Sequence, residues 1–245
     1  DVEVGNYTGA TKIKTLLTSV VTSLGTVLLP RLSYYVGIGE KQAFYNLIKK
    51  AINFVVAMSL PLTIYFVFMA NESILFLSGD GYESAVLAMQ IILPTILFIG
   101  LSNVTGIQVL PSLGVDRFVL ISVIIGALID LVLNTIFIPI YGSAGAAFGT
   151  LMAELGVLIV QLIYIRQYIK VRIFDYSQLI RINLCSVIPV FLIVLLRNVS
   201  NGVFLRLLIT AISYFGVYFL LAIIFNVRIV KDNTFNILKK LGLLK

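Results

Sequence analysis

The 245 residues are 60% hydrophobic and only 12% charged, with a mean hydropathy of +1.06. Soluble domains carry about 25% charged residues, so this composition excludes a water-soluble enzyme or binding domain and indicates an integral membrane protein. The formal charge of +7 does not call for nucleic acid, because the basic residues cluster between apolar runs, where the positive-inside rule accounts for them.

His is absent and Cys185 is the single cysteine. No disulfide framework, metal site or cofactor is therefore expected, and the usual imidazole base is missing. The chain starts at Asp1 without Met or a signal peptide, and is expected to be a fragment lacking its N-terminal part.

A membrane crossing takes about 20 apolar residues, and apolar runs without two-residue alternation read as helices rather than barrel strands. Seven spans are predicted, at 8–30, 50–71, 84–109, 117–138, 143–165, 183–197 and 206–227, followed by a basic tail, 228–245. The fold class is an all-α polytopic helix bundle. Counting Lys and Arg in alternate loops puts fourteen on one side and two, Arg197 and Arg206, on the other. That asymmetry predicts cytoplasmic first, third and fifth loops and a cytoplasmic C-terminus, with Asp1, Glu3 and Asp80 outside.

In span one, Tyr7 is an expected anchor at the outer interface. Lys12 follows about 8 Å further along the helix, so it either snorkels to the headgroups or enters a cavity. Lys14, two residues on, lies on nearly the opposite face. Pro30 and Arg31 mark the expected end of the span, and residues 38–50 suit a short surface helix on anionic lipid. Pro61 and Pro94 are expected kink points in spans two and three. Asn103 and Gln108 are expected to form interhelical hydrogen bonds.

Spans four and five carry the most information. Gly126, Asp130 and Asn134 recur every four residues and form one stripe, with Asp130 about 20 Å from Arg117. Gly145, Gly149 and Ala153 form a small-residue stripe that lets helices approach closely. Thr150, Glu154 and Gln161 share a neighbouring polar face. An ionisable group near mid-bilayer costs roughly 2.5–3.5 kcal/mol on insertion scales. Asp130 and Glu154 are thus either protonated carboxyls bonded to a neighbouring helix or members of a working site. Spans six and seven, with Pro189 and the aromatic cluster Tyr214, Phe215, Tyr218 and Phe219, read as lipid-facing or peripheral.

Three stretches resemble the bacterial polysaccharide repeat-unit flippases of the multidrug/oligosaccharidyl-lipid/polysaccharide exporter superfamily. They are VGNYTGATKI at 4–13, VLLPRLS at 27–33, and IGALIDLVLNTIFIPIYG at 125–142 running into GAAFGTLMAEL at 145–155. The resemblance departs from the family pattern at Asp130, where a neutral residue, often Asn, is usual. It implies a two-lobed MATE-like transporter, this chain being the C-terminal lobe and an N-terminal lobe of the same protein its partner. The implied substrate is an undecaprenyl-pyrophosphate-linked oligosaccharide, moved between leaflets of the bacterial cytoplasmic membrane for capsule, O-antigen or exopolysaccharide synthesis, with a polysaccharide polymerase as a further partner. Family cavities are cationic, which suits a pyrophosphate. Lys12 falls on the family's basic position and is the implied substrate contact, while Glu154 falls on its Ala-Glu position. Asp130, Asn134 and Gln161 complete the expected coupling or cavity-polar set.

Such a carrier is not an enzyme. The rival is a drug or cation antiporter of the same superfamily, coupled to protons or sodium through Asp130 or Glu154. A membrane glycosyltransferase or polymerase would need a sizeable extramembrane loop, and the longest predicted loop is about 20 residues. A passive scaffold leaves the intramembrane acids unexplained.

Overall fold

The computed structural model describes residues 2–23, 25–197, 199 and 202–231. Asp1 and the greater part of the predicted basic tail, including Lys239, Lys240 and Lys245, lie outside them. The described residues form an all-α bundle. Its elements are α1 (Val2–Thr22), α2 (Gly25–Gly37), α3 (Lys41–Phe68), α4 (Ala70–Ser78), α5 (Ser84–Ile92), α6 (Thr95–Ser102), a π-helical segment (Asn103–Val109), α7 (Leu110–Ser112), α8 (Arg117–Tyr168), α9 (Tyr176–Val187), α10 (Val190–Leu196) and α11 (Val203–Ile224). Six stretches among them are long and apolar enough to cross a membrane.

The longest, α8, has 52 residues and would measure about 78 Å if straight, far more than the roughly 30 Å of a hydrocarbon core. It is instead an antiparallel hairpin. The chain reverses at Gly142, whose φ of 54° and ψ of −127° belong to a region that side chains with a Cβ avoid. The predicted four-residue turn is thus reduced to one glycine. Residues equidistant from Gly142 face each other. A Cβ on Gly145 would strike the Phe137 carbonyl, one on Gly149 would stand 3.4 Å from Asp130 Oδ1, and one on Gly126 3.3 Å from the Ala153 carbonyl. The small-residue stripe therefore lets the two arms, 117–141 and 143–168, pack at backbone distance.

Glu3 reaches this hairpin from the start of α1. Its Oε2 accepts a 2.6 Å hydrogen bond from the Ser143 amide, one of the orphan donors at the head of the second arm. Tyr7 follows it: its hydroxyl meets Thr150 Oγ1 at 2.9 Å. The side chain predicted to anchor at the lipid interface instead turns into the bundle, and α1 runs alongside the second arm in the same direction.

Helix limits depart from the predicted spans in physically readable ways. The first rod does not end at Pro30. It breaks between Thr22 and Gly25, and α2 continues through Pro30 to Gly37. Six Ser and Thr hydroxyls of α1, and that of Ser23 just past its end, turn back onto the helix's own carbonyls, ending with Thr22 to Thr18 at 2.9 Å and Ser23 to Val20 at 2.8 Å, a habit that loosens and bends helices. No separate surface helix forms over 38–50. Residues from Lys41 onward are the opening turns of α3, with Phe44 and Ile48 buried. Its 28 residues span about 42 Å, the thickness of a bilayer with its headgroups, so the polar start lies at headgroup depth. The helix passes Pro61 uninterrupted, whereas Pro94 and Pro189 do sit at breaks, between α5 and α6 and between α9 and α10.

The third rod, α5 to α7, is central and packs on α1, α3 and α8. The last two rods are less peripheral than predicted. Tyr214 and Tyr218 are fully buried, their hydroxyls donating to the Ser186 carbonyl at 2.8 Å and the Ala57 carbonyl at 2.6 Å. Only parts of the aromatic cluster, such as Phe219, face outward.

Candidate functional site

Two features converge on the hairpin. The first is a cleft of 410 Å³ between α6, the π-helical segment and both arms of α8. Asp130, Glu154 and Gln161 line it together, with Ser102, Asn103 and Thr150. Spacing alone put Asp130 on one span and Glu154 and Gln161 on the next; the reversal at Gly142 brings them to one wall. Asn134 lies one turn nearer the hairpin tip, against Gly149. Asp130 and Asn134 each leave a side-chain oxygen buried and without a hydrogen-bond partner.

Gln161 closes the floor. Its Oε1 accepts from Thr105 Oγ1 at 2.6 Å and its Nε2 donates to Ser122 Oγ at 3.1 Å, so one amide joins the π-helical segment to both arms. Gly106 makes room, since any Cβ there would collide with the Gln161 amide. π-helical turns widen a helix locally and recur at working sites. Here the widening presents Thr105 to the hairpin. Asn103 and Gln108, predicted to bond between helices, make no side-chain hydrogen bond among the described residues. They face the break before Gly25.

Gln161→Leu is expected to lower stability by only about 1 kcal/mol. Both stranded hydroxyls keep backbone acceptors, Thr105 the Leu101 carbonyl at 3.0 Å and Ser122 the Val119 carbonyl at 2.7 Å. Thermal unfolding in detergent measures it.

The second feature is the outer stripe of α1. Thr8, Lys12, Thr15, Ser19 and Ser23 recur at spacings of three and four, and all are exposed. The spacing is legible in the sequence when the hydroxyls are taken together with Lys12. The hydroxyls satisfy their own helix and tolerate apolar surroundings; the Lys12 ammonium does not. Glu3 stands at the hairpin tip beside Ser143, so Lys12, nine residues on, lies about 14 Å along α1 from that level, close to half the thickness of a hydrocarbon core and deeper than its distance from Tyr7 suggested.

Lys12 is not brought to the cleft. Lys14 is the half-buried cation, seven residues and nearly two whole turns from Tyr7, and Glu154 lies within electrostatic reach of Lys14 and Asp130. That heptad relation to Tyr7 was the missed signal. Among the described residues no group of three or more His, Cys, Asp or Glu side chains is placed to hold a metal ion.

Comparison with known proteins gives one consistent result. The chain is 27% identical over 231 residues to an uncharacterized membrane protein of Methanocaldococcus jannaschii, covering 92% of this chain and 45% of that one. It is 26% identical over 163 residues to the "Putative O-antigen transporter" of Escherichia coli, covering 66% and 39%. Among solved structures it matches the lipid II flippase MurJ in its inward closed conformation, with a TM-score of 0.78 and 19% identity over 91% of this chain and 47% of that one. This likeness gives the fold, which is MATE-like. The chain thus spans less than half the length of each relative. The profile of the lipid II flippase MurJ family matches residues 7–226, from the tyrosine that meets Thr150 to the end of the last rod, and the chain belongs to that family of membrane transporters.

Proposed function

We propose that this chain forms the C-terminal lobe, with seven crossings, of a flippase that carries undecaprenyl-pyrophosphate-linked oligosaccharide repeat units from the inner to the outer leaflet of a bacterial cytoplasmic membrane, for surface polysaccharide synthesis. The observation that carries this reading is the exposed polar stripe of α1, with Lys12 about 14 Å along the helix from the hairpin tip, inside a stretch long and apolar enough to cross a membrane. A cation there needs water or an anion beside it. A hydrated cavity shared with an N-terminal lobe of the same protein supplies the water, and the substrate's pyrophosphate supplies the anion. The polyprenyl tail stays with membrane lipid, the two lobes rock to expose the cavity alternately, and a polysaccharide polymerase uses the delivered unit. Nothing in this cycle requires nucleic acid or a bound cofactor.

Orientation follows from the loop charges, with the C-terminus cytoplasmic. The two basic residues assigned to the outer side, Arg197 and Arg206, both lie against Glu72, at 2.8 and 3.7 Å, so an acidic partner offsets their charge on that side. Coupling to protons or sodium falls to Glu154 and Asp130, whose carboxylates share the cleft. That shared cleft is also what favours the second reading, a cation-coupled antiporter of small molecules.

The test is a deletion strain. Lipid-linked repeat units are expected to accumulate on the inner leaflet, and the wild-type gene to clear them. Lys12→Ala, at the same membrane level, is expected to leave them uncleared. Glu154→Gln is expected to clear them slowly, with a flattened pH profile. Normal export by Lys12→Ala removes the cationic contact from the reading. Accumulation of a peptidoglycan precursor in place of repeat units removes the assigned substrate. A strain that loses only ion-coupled drug efflux establishes the antiporter.

A further inference from the structure

The loop that joins α8 to α9 shapes a cleft of 470 Å³ that no acidic side chain lines. Ile165, Ile169 and Ile173 form its buried floor, and Arg166, Lys170 and Arg172 stand exposed around it. Among the described residues these three cations make no ion pair and no side-chain hydrogen bond. Their neighbours differ. Arg181 donates to the Phe225 carbonyl at 3.0 Å, Arg228 lies 3.6 Å from Asp175, and Lys231 donates to Asn226 Oδ1 at 2.6 Å. The backbone adds to the excess of donors. Residues 169–175 are neither helix nor strand, and the amides of 170–174 make no hydrogen bond among the described residues. Consecutive free amides in irregular backbone favour an anion.

Depth narrows the anion's source. The membrane-spanning stretches on either side end at Tyr168 and resume at Tyr176, and both rings are exposed, as aromatic residues are at the membrane–water boundary. The cleft is therefore at headgroup level, cationic at the rim and greasy at the floor. We propose that it is a binding site for an anionic glycerophospholipid, the phosphate held by Arg166, Lys170, Arg172 and the loop amides, with an acyl chain against the isoleucines. Basic pockets at the cytoplasmic ends of membrane helices take such headgroups. The bound lipid ties the end of the hairpin's second arm to the start of α9. This proposal rests on the membrane location of the chain and not on the identity of the transported molecule.

The experiment is native mass spectrometry of the complete protein in mild detergent, titrated with phosphatidylglycerol or phosphatidylcholine. The wild type is expected to retain phosphatidylglycerol in preference to phosphatidylcholine. Arg172→Gln is expected to weaken that retention about fivefold, and each further substitution in the triple variant Arg166→Gln/Lys170→Gln/Arg172→Gln by about as much again. A charge-matched variant, Arg31→Gln/Lys41→Gln/Lys50→Gln, is expected to behave as wild type. If the triple variant does not fold, Arg172→Gln alone carries the test. Equal retention of the two lipids overturns the proposal, as does unchanged retention in the substituted loop or an equal loss in the charge-matched variant. Displacement by millimolar inorganic phosphate overturns it in favour of a free-anion site. Preferential displacement by undecaprenyl diphosphate overturns it in favour of a substrate site.

Discussion

Arg197→Gln is expected to cost about 2 kcal/mol of stability, read as a fall in the thermal midpoint of the detergent-solubilised protein. Glu72 stands in the first turn of α4 and is only 1% exposed. Its Oε1 accepts from Arg197 Nε at 2.8 Å and has Arg206 NH1 at 3.7 Å, while Oε2 has no hydrogen-bond partner. Taking Arg197 away leaves a carboxylate in a nearly inaccessible place with the more distant cation as compensation. Breaking a fully buried pair in this way costs roughly 3–5 kcal/mol. The lower figure applies here because Arg197 is itself 47% exposed, so water already screens part of the attraction. Glu72→Gln is expected to be milder, since it removes the buried charge that needs the compensation and leaves Arg197, already half exposed, to water. The double variant is expected to be more stable than the two single losses added together, by about 1 kcal/mol. Strictly additive losses show that the pair contributes nothing beyond its separate members, and that α4 is held over α10 and α11 by packing alone.

What could be read from the sequence was whatever depends on hydropathy and periodicity. The helical class, the membrane setting and the close-packed stripe of Gly145, Gly149 and Ala153 follow from those two signals, and the hairpin uses that stripe. Polar residues at helix ends were harder. Residues 38–50 look like a separate surface helix because a helix that emerges into the headgroups carries the same residues as a surface segment; only the burial of Phe44 and Ile48 tells them apart. Pro30 was a plausible stop, but the break came earlier, where hydroxyls back-bond through the final turn of α1. Tyr7 has a partner 143 residues away, and no local pattern reveals that. The acids were legible as unusual but not as neighbours. Asp130 and Glu154 line one cleft because a single glycine reverses the chain, and the predicted turn left the facing register of the two arms open.

Two identical chemical changes should have opposite signs. Gly145→Ala is expected to lower stability by about 1–3 kcal/mol, the usual range for forcing extra volume into a packed interface. Gly216→Ala is expected to raise it by roughly 0.5 kcal/mol, the ordinary gain from replacing glycine inside a helix. A Cβ on Gly145 meets the backbone carbonyl of Phe137, and backbone in a helix cannot swing aside as a side-chain end does. The second arm must move away from the first, and the displacement reaches Gly149 and the oxygens of Asn134 and Asp130 packed over it. Gly216 lies in α11 with nothing within 4 Å of the added carbon, so there the substitution only removes conformational freedom from the unfolded chain. Thermal unfolding of both variants under one condition gives the comparison. Opposite signs make the hairpin a rigid wedge in which the wall bearing Asp130 and Glu154 is fixed by backbone contact. If Gly145→Ala is as harmless as Gly216→Ala, the arms can separate at little cost, and the spacing of the two acids is then adjustable rather than built into the fold.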